Sequence, residues 1–165
     1  MISTVLVEHP WLEPTAFLVL LVVAPAAAWW SADRPRAGRW LAAAAVVVAA
    51  GLTLAPDDRR ASSFCEVAWD VPTLFHGDLA NVILFLAPVA LLNTVWRQPV
   101  LVAGAAIAAS AGVELLQALA PSLGRSCSTS DWLANSIGAV LGAALARAGL
   151  RLAGRTSTPA PRSSH

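Results

Sequence analysis

The sequence predicts an all-α fold: a multi-pass transmembrane helical bundle of about five spans. Three observations predict it. Of the 165 residues, 57% are hydrophobic and 13% charged, whereas a water-soluble domain of this size carries about a quarter charged residues. Long charge-free runs alternate with short segments into which the charges crowd. Tryptophans mark the ends of those runs, at the level where indole prefers the lipid headgroups.

A spanning helix needs roughly 20 mostly apolar residues, with about 17 as the lower limit. The five candidate segments are Thr15–Trp30, Trp40–Ala55, Leu79–Trp96, Val100–Leu119 and Trp132–Leu152. The first two are short, and the first contains Pro25, so they are expected to enter together as a helical hairpin. Trp11, Trp29, Trp30, Trp40, Trp96 and Trp132 lie at or just beyond segment ends, and only Trp69 sits well inside a loop. The N-terminal "MISTVLVEHPWLEP" carries acids and no basic n-region, so a cleaved secretory signal is not expected. Residues 1–155 are read as one transmembrane domain, and residues 156–165 as a Pro/Ser-rich, disordered cytoplasmic tail.

Arginine placement sets the expected orientation. Arg34, Arg36, Arg39, Arg97, Arg147, Arg151, Arg155 and Arg162 fall on one side, and Arg59, Arg60 and Arg125 on the other. The richer side is predicted to be cytoplasmic, with the N-terminus outside and the C-terminus inside. The acids Glu8, Glu13, Asp57, Asp58, Glu66, Asp70, Asp78 and Asp131 then lie on the outer side. The net charge of +1 implies no nucleic-acid partner.

Cys65 and Cys127 occupy two different outer loops. Paired thiols in an oxidising compartment predict a disulfide, here tying the long loop from Pro56 to Gly77 over segments four and five. Metal binding by these cysteines with His9 or His76 lacks ligand spacing such as CxxC or HxxxH, so neither metal nor cofactor is expected.

Polar residues in the last three segments recur at helical spacing. Asp78, Asn81, Phe85 and Pro88 form one stripe; Ser110, Glu114 and Gln117 form a second; Asp131, Asn135, Gly138 and Gly142 form a third. Glu114 lies about 7–8 Å, and Asn135 about 6 Å, below the outer boundary at 1.5 Å per residue. A charged side chain costs about 2.5–3.5 kcal/mol at mid-membrane by insertion scales, so such residues face one another or a wet cavity. Gly138 and Gly142 make a small-xxx-small step that lets another helix approach. Ser130 and Asp131 both suit a helix start before Trp132. These residues predict an outward-facing polar pocket, with Arg125 at its rim among Asp78, Glu114 and Asp131. The same amides and acids also suit plain helix–helix adhesion.

At "DLANVILFLAP" (Asp78, Asn81, Phe85, Pro88), "ELLQ" (Glu114, Gln117) and "GRSCSTSDWLANSIGAVLG" (Arg125, Asp131, Asn135, Gly138, Gly142) the sequence resembles the VanZ-like family of small bacterial membrane proteins. The motif-bearing part is residues 78–142. Two departures stand out: Ala87-Pro88-Val89-Ala90 replaces the family's Pro-Leu-Gly, and Ser128 replaces an acid between the Arg and the Asp. The resemblance implies a multi-pass protein of the bacterial cell membrane, linked to resistance to teicoplanin-type lipoglycopeptides.

Three functions fit these residues. One is an accessory envelope protein binding an anionic envelope lipid, a lipid-linked cell-wall precursor or a lipoglycopeptide through Asp78, Asn81, Glu114, Gln117, Arg125, Asp131 and Asn135. The second is a membrane-embedded enzyme with Glu114 and Asp131 as candidate catalytic acid and base on a lipid-linked headgroup, since a desolvated carboxyl suits proton transfer. The third is a small transporter. Five spans without an internal repeat would require a homo-oligomer for that.

Overall fold

The computed structural model describes residues 8–56, 65–73, 79–120, 122 and 124–156. Among the described residues five long helices follow one another: α1 (Leu12–Ser31), α2 (Pro35–Leu54), α3 (Leu79–Trp96), α4 (Pro99–Leu119) and α5 (Thr129–Thr156). All five are long and apolar enough to cross a membrane, and no strand occurs among the described residues.

Helices α1 and α2 each contain 20 residues, so neither is as short as the charge-free runs suggest. Each gains its extra length at the N-terminus. Leu12 and Glu13 extend α1, and Pro35 starts α2, where its fixed φ and missing N–H suit a first helical position. The same device starts α4 at Pro99. α5 begins at Thr129, earlier than expected. Ser128 precedes the helix, and its hydroxyl accepts the Ser130 amide at 3.3 Å, so it caps this end.

α5 forms the axis of the bundle. It packs most extensively on α3, then on α1 and α4, while α2 packs on α3. Its buried face consists almost wholly of small residues: Ser130, Ala134, Gly138, Ala139, Gly142, Ala143, Ala146, Gly149 and Ala153. Small side chains let backbones approach closely, which drives association where lipid removes the hydrophobic advantage. A Cβ at Gly138 would collide with the Val82 carbonyl of α3, and one at Gly142 with the Leu86 carbonyl. One at Gly149 would meet the Pro25 carbonyl of α1. Both α3 contacts advance in the same sense, so α3 and α5 run parallel.

Larger side chains fill the remaining space. Leu86, Val82 and Val89 of α3 and Val102 of α4 are fully buried. Ala24, Ala28, Leu86, Ala90 and Ala146 form a cluster joining α1, α3 and α5. Val22, Trp40, Val47 and Val100 point outward and are exposed, as lipid-facing residues are.

Candidate functional site

The polar residues gather at the end of the bundle where α2 and α4 finish and α5 starts. A disulfide joins Cys65 to Cys127, with their Cα atoms 4.6 Å apart. Beside it, Glu66 and Ser128 form an isolated parallel bridge. The Glu66 amide donates to the Cys127 carbonyl at 2.9 Å, and the Thr129 amide donates to the Glu66 carbonyl at 3.0 Å. Thr129 extends the clasp, since its hydroxyl accepts the Ala68 amide at 2.9 Å. The segment after α2 is thereby stitched to the start of α5 by one covalent link and several backbone bonds.

Beneath the clasp lies a buried polar layer between α4 and α5. The Glu114 carboxylate accepts the Ser128 amide at 2.9 Å, and Glu114 is only 8% exposed. The Ser128 and Ser130 hydroxyls are 2.8 Å apart. About a turn deeper, the Asn135 amide nitrogen donates to the Ser110 hydroxyl at 2.9 Å. Asn135 is 3% exposed, yet its Oδ1 has no partner among the described residues. The Trp132 indole donates to the Ile107 carbonyl at 3.3 Å and so ties the start of α5 to α4.

Two further residues turn elsewhere. The Gln117 amide donates to the Thr53 carbonyl at 3.1 Å, and Arg125 Nε donates to the Ala55 carbonyl at 2.9 Å. Both fasten the C-terminal end of α2, whose last carbonyls lack intrahelical partners and attract cations. Arg125 is therefore a strut between the α4–α5 connection and the end of α2. Asp131 is half-buried in the first turn of α5. Asn81 is half-buried on α3, next to the Val82 carbonyl that receives Gly138. Asp78 and His76 lie outside the described residues.

The α4 and α5 stripes touch at Ser110 and Asn135, while Glu114 reaches Ser128, which belongs to neither stripe. Sequence reasoning marked Ser128 only as a departure from the family pattern and did not single out Thr129; the roles of both depend on the clasp. Ser110 carried a signal, being four residues before Glu114. Among the described residues, no group of three or more His, Cys, Asp or Glu could hold a metal ion.

No curated protein and no solved structure matches the chain. The sequence profile of the VanZ/LLP1 family matches residues 15–151, a stretch that includes the whole polar layer and the glycine face of α5. The chain belongs to the VanZ/LLP1 family.

Proposed function

We propose that this VanZ-family protein is an accessory protein of the bacterial cell envelope. In this reading its disulfide-bearing end faces outward and binds an anionic envelope ligand, either a lipid-linked cell-wall precursor or a lipoglycopeptide, lowering susceptibility to the drug. The observation that carries the reading is Asn135. Buried polar atoms are almost always paired, and an unpaired one costs about 1–3 kcal/mol. An amide kept only for helix adhesion would be satisfied on both sides, whereas Asn135 satisfies one and its Oδ1 is buried without a partner among the described residues.

Neighbouring groups support the same chemistry. Arg125 spends its Nε on Ala55, and a guanidinium also has terminal nitrogens that pair with phosphate or carboxylate. Glu114, Ser128 and Ser130 supply acceptors and hydroxyls above Asn135. The orientation rests on arginine placement, which favours the end opposite the disulfide as cytoplasmic.

The test is direct binding. The full-length protein in nanodiscs would be titrated with a lipid-linked cell-wall precursor and with a lipoglycopeptide, as wild type and as Arg125→Ala. Saturable binding of either ligand, weakened at least tenfold by Arg125→Ala, supports the proposal. No binding, or equal affinity for both proteins, contradicts it. Reporter fusions at each terminus check the orientation independently, and an outward C-terminus would overturn it.

A further inference from the structure

A second polar cluster lies at the opposite end of the bundle. A cavity of about 350 Å³ opens there, lined by Asn93, Arg97, Pro99, Arg147, Leu150 and Arg151. Three guanidinium groups converge on it from two elements, and no carboxylate is among these lining residues. Arg147 and Arg151 are four residues apart on α5, which places them on one helical face. Arg97 occupies the α3–α4 turn with φ of 54°, and its Nη2 donates to the Ala32 carbonyl at 3.3 Å. Its position is thus fixed without a ligand. Pro99 begins α4, a helix of 21 residues, so the positive end of that helix also borders the cavity.

Asn93 supplies the independent observation. It lines the cavity, is 1% exposed and donates its amide nitrogen to the Val89 carbonyl at 3.1 Å. Its Oδ1 has no partner among the described residues. Three cations alone would suit any anion. Three cations beside an unpaired buried acceptor suit an anion that also carries a hydroxyl donor.

We propose that this cavity binds the headgroup of an anionic phospholipid bearing free hydroxyls, as a phosphoglycerol headgroup does. Its phosphate lies among Arg97, Arg147 and Arg151, and a headgroup hydroxyl donates to Asn93 Oδ1. A lipid is favoured over a soluble phosphate by position. Exposed Trp96 stands beside Arg97 at the end of α3, a place where indole favours lipid headgroups, and Leu150 gives the cavity an apolar wall against which an acyl chain can leave. Basic pockets between spanning helices are a recurring site for such headgroups.

Native mass spectrometry of the full-length protein tests this, with phosphatidylglycerol, phosphatidylmethanol, phosphatidylcholine and inorganic phosphate as probes. Wild type is expected to retain phosphatidylglycerol at least tenfold better than phosphatidylcholine. The double variant Arg147→Gln/Arg151→Gln should lose that preference, while Arg36→Gln/Arg39→Gln, which removes equal charge from the start of α2, keeps it within twofold. Asn93→Leu should bind phosphatidylglycerol and phosphatidylmethanol equally, where wild type favours the former. Both arginines are exposed, so the Arg147→Gln/Arg151→Gln protein is expected to fold, as its size-exclusion profile will show. No preference for the anionic lipid, or equal loss in both double variants, overturns the proposal. Inorganic phosphate displacing the lipid at millimolar concentration overturns the lipid assignment in favour of a free-phosphate site.

Discussion

Glu114 on α4 holds the amide of Ser128, the residue before α5, through a carboxylate contact of 2.9 Å. This contact lies directly beneath the Cys65–Cys127 link and the Glu66–Ser128 bridge. Removing the acceptor strands a half-buried N–H, which costs about 1–3 kcal/mol. Glu114→Leu should therefore lower stability by that amount in detergent titration unfolding. Glu114→Gln keeps an acceptor oxygen and should stay within about 1 kcal/mol of wild type.

Reduction of the disulfide should destabilise the protein without dismantling the membrane helices. The two cysteines are 62 residues apart, and a loop of that length contributes about 4 kcal/mol by chain entropy. Thermal unfolding with and without reductant measures the loss, and the Cys65→Ser/Cys127→Ser variant should reproduce it. An unchanged melting temperature would show that the backbone clasp suffices alone.

The glycines of this chain divide into two groups with opposite expected responses. Gly138→Ala and Gly142→Ala drive a methyl group into the α3 carbonyls and should each cost about 1–3 kcal/mol. Around Gly104 and Gly112 of α4 nothing lies within 4 Å of an added Cβ. There Gly→Ala should be neutral or stabilising by up to about 1 kcal/mol. Unfolding titrations of the four single variants decide the matter, and equal effects in both groups would refute the close α3–α5 approach.

Asn135→Leu separates stability from function. It removes an unpaired buried oxygen, and the freed Ser110 hydroxyl can turn to a carbonyl of its own helix one turn back. Stability should change by less than about 1 kcal/mol, or rise. Ligand binding and drug protection should nevertheless fall. Loss of both properties together would mark Asn135 as a packing residue.

Much of this arrangement is legible in the sequence because it is local or nearly so. Charge-free runs mark all five helices, though the first two runs fall short of a full span, and the spacing of Gly138 and Gly142 marks the face that meets α3. The two cysteines pair because both belong to loops at the same end. Contacts that depend on how far one helix slides past another are not legible. Nothing local distinguishes Gly149, which receives the Pro25 carbonyl, from Gly104, which receives nothing. Gln117 and Arg125 look like members of one polar pocket, yet both reach across to the end of α2. Asn93 reads as one more amide near a helix end, and only the approach of α5 sets Arg147 and Arg151 beside it.

The central claim is that the polar layer at the disulfide-bearing end carries the protein's function. Lipoglycopeptide susceptibility tests it most directly, in a sensitive host expressing wild type, Glu114→Gln and Asp131→Asn at matched levels. The account predicts that wild type protects, and that both isosteric variants return the host to the susceptibility of the empty vector. Equal protection by all three proteins, or protection by none, would contradict it.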